Sequence, residues 1–199
     1  MTIKISIGSD HGGYELKKAL TNWLILKSIP VNDFGTNSGE SVDYPPYAQQ
    51  VVNSVLINQC NFGILVCGSG QGMAITANKY DEIRAALCWD KAIAALARQH
   101  NNANILVLPG RFISIDQAIE ITEAFLSTEF EGGRHQKRID LIIKYAQNKS
   151  TIFSKEMYIK NRTIKQCKQL VKKAKLISRI KNSRSGLQRV LKQQQGFFF

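Results

Sequence analysis

The sequence predicts an α/β fold with three layers: a central parallel sheet of about five strands, covered by helices on both faces. Two observations predict it. Short apolar runs alternate along the chain with stretches of helical periodicity about 10–15 residues long. Two of the runs, Phe62-Gly63-Ile64-Leu65-Val66 and Ile105-Leu106-Val107-Leu108, are apolar throughout rather than at every second residue. That pattern fits strands buried on both faces.

Ile3, Ile5 and Ile7 alternate as a first strand, which ends in the turn Gly8-Ser9-Asp10-His11-Gly12-Gly13. Leu16, Ala19, Leu20, Trp23 and Leu24 have helical spacing and predict a helix over residues 14–26. Residues 29–34 form a second strand, and 35–46 a loop rich in Gly, Asn, Ser and Pro. A helix over 47–57 leads to the strand at 62–66, a glycine-rich loop and a short helix at 73–78. A strand at 83–88 and a helix at 90–98 follow, with Asp90 as its cap. Asn104-Ile105-Leu106-Val107-Leu108 is the fifth strand, stopped by Pro109-Gly110. Ser114 or Asp116 starts the next helix, Gly132-Gly133 breaks it, and a last helix covers 135–147. Right-handed crossovers place the loops after the strands at one edge of the sheet. That edge collects Asp10-His11, Cys67–Gly72, Trp89-Asp90 and Leu108–Arg111.

The formal charge of +12 is unevenly distributed. Residues 1–148 carry 13 basic side chains against 14 acidic ones, whereas residues 149–199 carry 14 basic against one acidic. The basicity belongs to the tail, so the overall charge does not mark the main domain as a nucleic-acid binder. The sequence thus divides into a domain at 1–148 and a basic extension at 149–199, partly helical or disordered. A frameshift or insertion would also produce such a tail, and it carries no recognisable RNA motif. Nucleic-acid contact by it is not expected. None of the four cysteines, Cys60, Cys67, Cys88 and Cys167, forms a C-x-x-C pair. A disulfide framework and a zinc site are not expected, and a reducing, cytoplasmic setting is. Neither a secretion signal nor a membrane span is expected.

The chemistry-bearing residues are few. Cys67-Gly68-Ser69-Gly70-Gln71-Gly72 is a turn with exposed backbone N–H groups, entered from a buried strand. It lacks the P-loop pattern. A C-x5-R phosphatase loop needs arginine at position 73, where the chain has Met73. Loop N–H groups near a thiol lower its pKa, so Cys67 is expected below the ordinary thiol range. The three histidines, His11, His100 and His135, all fall at element ends, where an imidazole serves as a proton carrier or merely as a cap. Arg134 and Arg138 are four apart and share a helix face. They suit a phosphate or carboxylate, or a salt bridge to Glu131.

Five segments together resemble the family of ribose-5-phosphate isomerase B and the galactose-6-phosphate isomerase subunits. They are Gly8-Ser9-Asp10-His11-Gly12-Gly13, Asp43-Tyr44-Pro45, Cys67-Gly68-Ser69-Gly70-Gln71-Gly72, Arg98-Gln99-His100-Asn101 and 131–138, EGGRHQKR. The similarity runs from about residue 3 to 146 and leaves out the tail. The resemblance implies a Rossmann-like fold. It also implies a homodimer, or a tetramer of paired dimers, with sites at the subunit interface and neither metal nor organic cofactor. The implied reaction interconverts ribose 5-phosphate and ribulose 5-phosphate through an enediolate.

In that resemblance Cys67 matches the thiolate base. Some members use a glutamate four residues on, where this chain has Gln71. Ser69 matches a hydroxyl that handles the sugar oxygens. His100 matches the residue that opens the furanose, with Asp10 as a polar partner. Asn101 and the amides of Gly68, Ser69, Gly70, Gln71 and Gly72 match the enediolate cradle. His11, Arg134 and Arg138 match the phosphate clamp, and Arg111 a further arginine, supplied by the neighbouring subunit in some members. The alternatives are a hexose-phosphate isomerase acting on galactose 6-phosphate or allose 6-phosphate, and a non-catalytic flavodoxin-like effector binder.

Overall fold

The computed structural model describes residues 3–152, 163–173, 175 and 179. The chain divides into two compact units, Met1–Ala146 and Gln147–Phe199. In the first, five strands alternate with helices: β1 (Ile5–Ser9), α1 (Tyr14–Leu26), β2 (Val31–Asp33), α2 (Pro45–Leu56), β3 (Phe62–Cys67), α3 (Gln71–Ala77), β4 (Ala85–Leu87), α4 (Lys91–Asn101), β5 (Ile105–Pro109), α5 (Ile115–Ser127) and α6 (Arg134–Ile152). A single 3-10 turn, His11–Gly13, joins β1 to α1. In the second unit, residues 163–173 are helical and exposed. The rest of the expectation for the tail lies outside the described residues. Among the described residues, no helix is long and apolar enough to cross a membrane.

The sheet is parallel throughout, in the order β2-β1-β3-β5-β4. Its three central strands are buried along nearly their whole length, as continuous apolar runs require. On one face Leu16, Leu20 and Leu24 of α1, Ala94 and Ala97 of α4, and Ala118, Ile121 and Phe125 of α5 pack on the sheet. On the other, Ala48, Val51, Val52 and Val55 of α2 join Met73 and Ala77 of α3. The helix after β1 therefore lies on one face, and the helix after β3 on the opposite face. Adjacent strands whose connections diverge open a crevice at their carboxyl ends. That crevice lies between Asp10-His11 and Cys67–Gly72.

Element ends differ from expectation where tertiary contacts decide them. Helix α2 starts at Pro45, because a proline in the first turn has no N–H to lose. Ser114, not Asp116, caps α5, with Gln117 completing a capping box. Helix α4 runs to Asn101, three residues beyond the predicted end at Arg98. The buried Arg98 guanidinium explains the extension. It donates to Asn102 Oδ1 (2.8 Å), the Ala103 carbonyl (2.6 Å) and the Thr128 carbonyl (3.3 Å), and it lies 4.8 Å from the Phe62 ring centre. Asn102 then ends the helix in the left-handed region, with φ of 44°. Arg98→Ala leaves these acceptors without their donor. It is expected to destabilise the domain by about 2–4 kcal/mol, measured by urea unfolding. A loss under 1 kcal/mol would contradict this account of the clamp.

Candidate active site

Two groups of chemistry-bearing residues emerge, at opposite edges of the sheet. The first surrounds the crevice between β1 and β3. Asp10 is buried and its Oδ1 accepts the Gly13 N–H at 3.1 Å, which caps the 3-10 turn and fixes the carboxylate. His11 is half-buried, and its Nδ1 accepts the Val42 N–H at 3.2 Å. In the neutral ring the proton therefore sits on Nε2.

Cys67 ends β3 and is 5% exposed. Its Sγ accepts the Gly70 N–H at 3.1 Å. Gly70 has φ of 76°, and a methyl group there would strike Leu87, so the turn demands glycine. Gly68 is half-buried, Ser69 is exposed beside it, and Gln71 is the exposed first residue of α3. The ring of Tyr44 lies against Gly72. The Arg111 N–H donates to the Gly68 carbonyl at 3.0 Å, and its guanidinium stem lies against Gly68 of the same chain. The Gly110 N–H donates to the Cys67 carbonyl at 2.8 Å. The loops after β1, β3 and β5 thus form one surface, as the crossover topology requires.

The lowered pKa expected for Cys67 is not found. Burial pushes its thiol above the ordinary range, and the Asp10 carboxylate adds to the push. The N–H groups of Met73, Gly70 and Ser69 favour the thiolate but do not outweigh burial. The loop geometry was legible in the sequence, whereas the desolvation depends on the assembled layers.

The second group lies where β5 begins. Helix α4 returns antiparallel to the strands, so His100 and Asn101, its last two residues, sit close to Ile105 rather than Pro109. Cys67 is in register with Pro109 and Gly63 with Ile105. The four residues between them correspond to about 13 Å along the sheet. The Glu131 N–H donates to the Gln99 carbonyl at 3.1 Å and draws the start of α6 to the same edge. Arg134 and Arg138 are exposed there. Within one chain, His100 is therefore remote from Cys67 and from Asp10, its expected partner. His11 is likewise remote from Arg134 and Arg138.

The His100 and His135 rings stack with centres 4.3 Å apart and planes 3° from parallel. Glu131 Oε2 lies 3.9 Å from His100 Nε2 and 3.6 Å from His135 Nε2. Glu131 thus faces the imidazoles, and its expected salt bridge to the arginines is not among the ion pairs of the described residues. Ligand atoms of His100, Glu131 and His135 lie within 4.8 Å of one another, as a metal site requires. The two nitrogen lone pairs, however, run in parallel planes and do not converge on one point. From sequence, His135 was only a proton carrier or cap and Glu131 only an alternative partner of the arginines; their pairing with His100 was not foreseen. Their four-residue spacing beside Arg134 was the available signal.

Known proteins resemble this chain over nearly all of its first unit. The ribose/galactose isomerase family model matches residues 5–142. Ribose-5-phosphate isomerase B of Escherichia coli is 41% identical over 147 residues, which cover 74% of this chain and 99% of that protein. A crystal structure of a ribose 5-phosphate isomerase from Thermotoga maritima is 56% identical, with a TM-score of 0.71, covering 72% of this chain and 99% of that one. The Mycoplasma genitalium ribose-5-phosphate isomerase B, solved with bound ribulose-5-phosphate, is 45% identical with a TM-score of 0.71, covering 74% and 98%. With its five-stranded parallel sheet, its Cys67 loop and a match spanning nearly the whole first unit, this chain belongs to the ribose/galactose isomerase family of aldose–ketose isomerases.

Proposed function

We propose that the domain at 1–148 interconverts ribose 5-phosphate and ribulose 5-phosphate in sites shared between two copies of the chain, the extension at 149–199 lying outside the chemistry. The observation that carries it is the separation of the Cys67 loop from His100, Asn101, Arg134 and Arg138 by the height of the sheet. One chain cannot present both groups to a small sugar phosphate. A second copy that sets its α4–α6 edge against the crevice completes the site. Exposed apolar side chains flank both groups: Phe112 beside Arg111, and Leu141, Ile142 and Tyr145 on α6. Their burial between copies would supply the driving force for pairing. The substrate choice follows the relatives, since the Thermotoga, Mycoplasma and Escherichia proteins that match this domain over 98–99% of their own length are ribose-5-phosphate isomerases.

The reaction begins on the closed sugar. Protonated His100 gives its proton to the ring oxygen as the C1–O4 bond breaks, and Asp10 takes the anomeric hydroxyl proton. The Cys67 thiolate then removes the C2 proton, the C2–H electron pair forms the C1=C2 double bond, and the carbonyl π pair moves onto O1. Backbone N–H groups of Gly68–Gly72 and the Asn101 amide hold the enediolate. The Ser69 hydroxyl relays the proton from O2 to O1, and the Cys67 thiol returns its own proton to C1. Arg134, Arg138, His11 and Arg111 hold the phosphate, which reacts at no point and fixes the reacting carbons over Cys67. A thiol base needs a reducing setting, which supports a cytoplasmic location.

Turnover of ribose 5-phosphate above that of galactose 6-phosphate and allose 6-phosphate is the expected result with purified protein. Faster turnover of either hexose phosphate would move the assignment to it. The raised thiol pKa also sets a sign. Less thiolate is present at neutral pH, so alkylation of Cys67 by iodoacetamide should still be accelerating above pH 9. Cys88, which burial pushes up to about 12, should lag further. Peptide masses resolve both from the exposed Cys167. A Cys67 rate that levels off below pH 8 would contradict the burial account.

A further inference from the structure

The geometry points to His135 and Glu131 as positioning residues for His100. This rests on the ring-opening role proposed for His100. His135 is 4% exposed, whereas the His100 side chain is 38% exposed. The exposed ring is the one that can meet a sugar, and the buried ring is its platform. Stacking at 4.3 Å with near-parallel planes leaves His100 free to slide or spin within its plane but not to tilt out of it.

The buried ring is held in one state. The Arg134 Nε–H donates to His135 Nε2 at 3.3 Å, so the neutral imidazole carries its proton on Nδ1. Burial, then the charges of His100, Arg134 and Arg138, keep His135 below the ordinary imidazole range, against the pull of Glu131. A neutral aromatic face beneath His100 tolerates its protonated form, which a second imidazolium would repel. The Glu131 carboxylate oxygen lies 3.9 Å from His100 Nε2 and 3.6 Å from His135 Nε2, beside the same atom of both rings. Glu131 is itself tethered, its N–H bonded to the Gln99 carbonyl one residue before His100.

The titratable and charged groups around His100 are thus Glu131 before α6, Arg134, the neutral His135 and Arg138 on α6, and Arg98 on its own helix. The Arg98 guanidinium is committed to carbonyl and amide oxygens. Glu131 is the group of this set that offsets the arginines. A ring-opening acid needs a fixed orientation, and this arrangement supplies it without touching the substrate.

Sugar chemistry separates this role from that of Cys67. Ribulose 5-phosphate cannot close to a furanose, because its C5 oxygen carries the phosphate. Exchange of its C1 hydrogen with solvent deuterium therefore needs Cys67 and the enediolate cradle but no ring opening. Turnover of ribose 5-phosphate needs both. His135→Ala is expected to lower kcat on ribose 5-phosphate by about 30–100-fold, with KM within threefold. Deuterium wash-in at C1 of ribulose 5-phosphate should stay within threefold of the unmodified protein. His135→Phe, which restores a flat uncharged platform, should recover at least a third of the lost turnover. Glu131→Gln, at a half-exposed and isosteric position, should fold normally and lower turnover of ribose 5-phosphate by about 3–10-fold, again with wash-in within threefold of the unmodified protein.

Wash-in and turnover falling in parallel in both His135→Ala and Glu131→Gln would overturn the inference, as would unchanged turnover in both. Absence of wash-in by the unmodified protein would instead remove the isomerase assignment, and the inference with it.

Discussion

Cys67→Ala is expected to lower kcat for ribose 5-phosphate by about 10³-fold while leaving the affinity for the sugar phosphate within about threefold. Its Sγ is the proton carrier proposed for both carbon positions, and the Gln71 amide cannot replace it. The proposed phosphate clamp, Arg134 and Arg138, lies at the other edge of the sheet, which the substitution does not touch. Cys67→Ser preserves the size of the residue and an acceptor for the Gly70 N–H, yet a hydroxyl is far too weak an acid to provide the base. It should be nearly as inactive as the alanine variant. Steady-state turnover and calorimetric titration with ribose 5-phosphate check the two halves of this expectation. Retention of more than a tenth of the turnover in both variants would sink the role of Cys67. Unaltered binding with no turnover in the unmodified protein would favour the effector-binding alternative.

Mixing two inactive variants should restore activity. In a dimer with shared sites, a chain carrying Cys67→Ala still presents His100, and one carrying His100→Ala still presents Cys67. A mixed pair therefore has one intact site and one doubly defective site. Random re-association makes half of the dimers mixed, so recovery should approach about a quarter of the unmodified activity, against the 10²–10⁴-fold loss typical of removing either acid–base group alone. Dissociation in mild denaturant followed by dilution, with each variant carried through alone, makes the comparison. Recovery no greater than the sum of the separate variants would show that each site is built within one chain.

The layers were legible because their causes are local. Leu16, Leu20 and Leu24 recur at helical intervals, and α1 occupies the predicted residues 14–26. Phe62–Val66 is apolar at every position except Gly63 and became a central strand. The crevice was legible too, because strand ends follow from topology. A shared site was implied only by the family resemblance, and which side chains fall at which edge was not legible. That placement depends on α4 running on to Asn101, and that extension depends on Arg98 reaching carbonyls as distant in sequence as Thr128. The stacking of His100 on His135 joins residues 35 positions apart, beyond any periodicity. The thiol of Cys67 was misjudged for the same reason. Its loop donors are neighbours in sequence, but the layers that strip water from it are not.

Gly13 has a consequence for how such a site could change its substrate. Its backbone rests so closely on the Val66 carbonyl that even a methyl group would collide with it. The spacing between the exits of β1 and β3 is thus fixed by main chain against main chain, and no choice of side chain can widen it. Accommodation of a longer sugar must come from the rim, where a side chain such as Tyr44 can be exchanged without moving the sheet. The floor of the crevice is inherited with the fold, and selectivity is left to its walls.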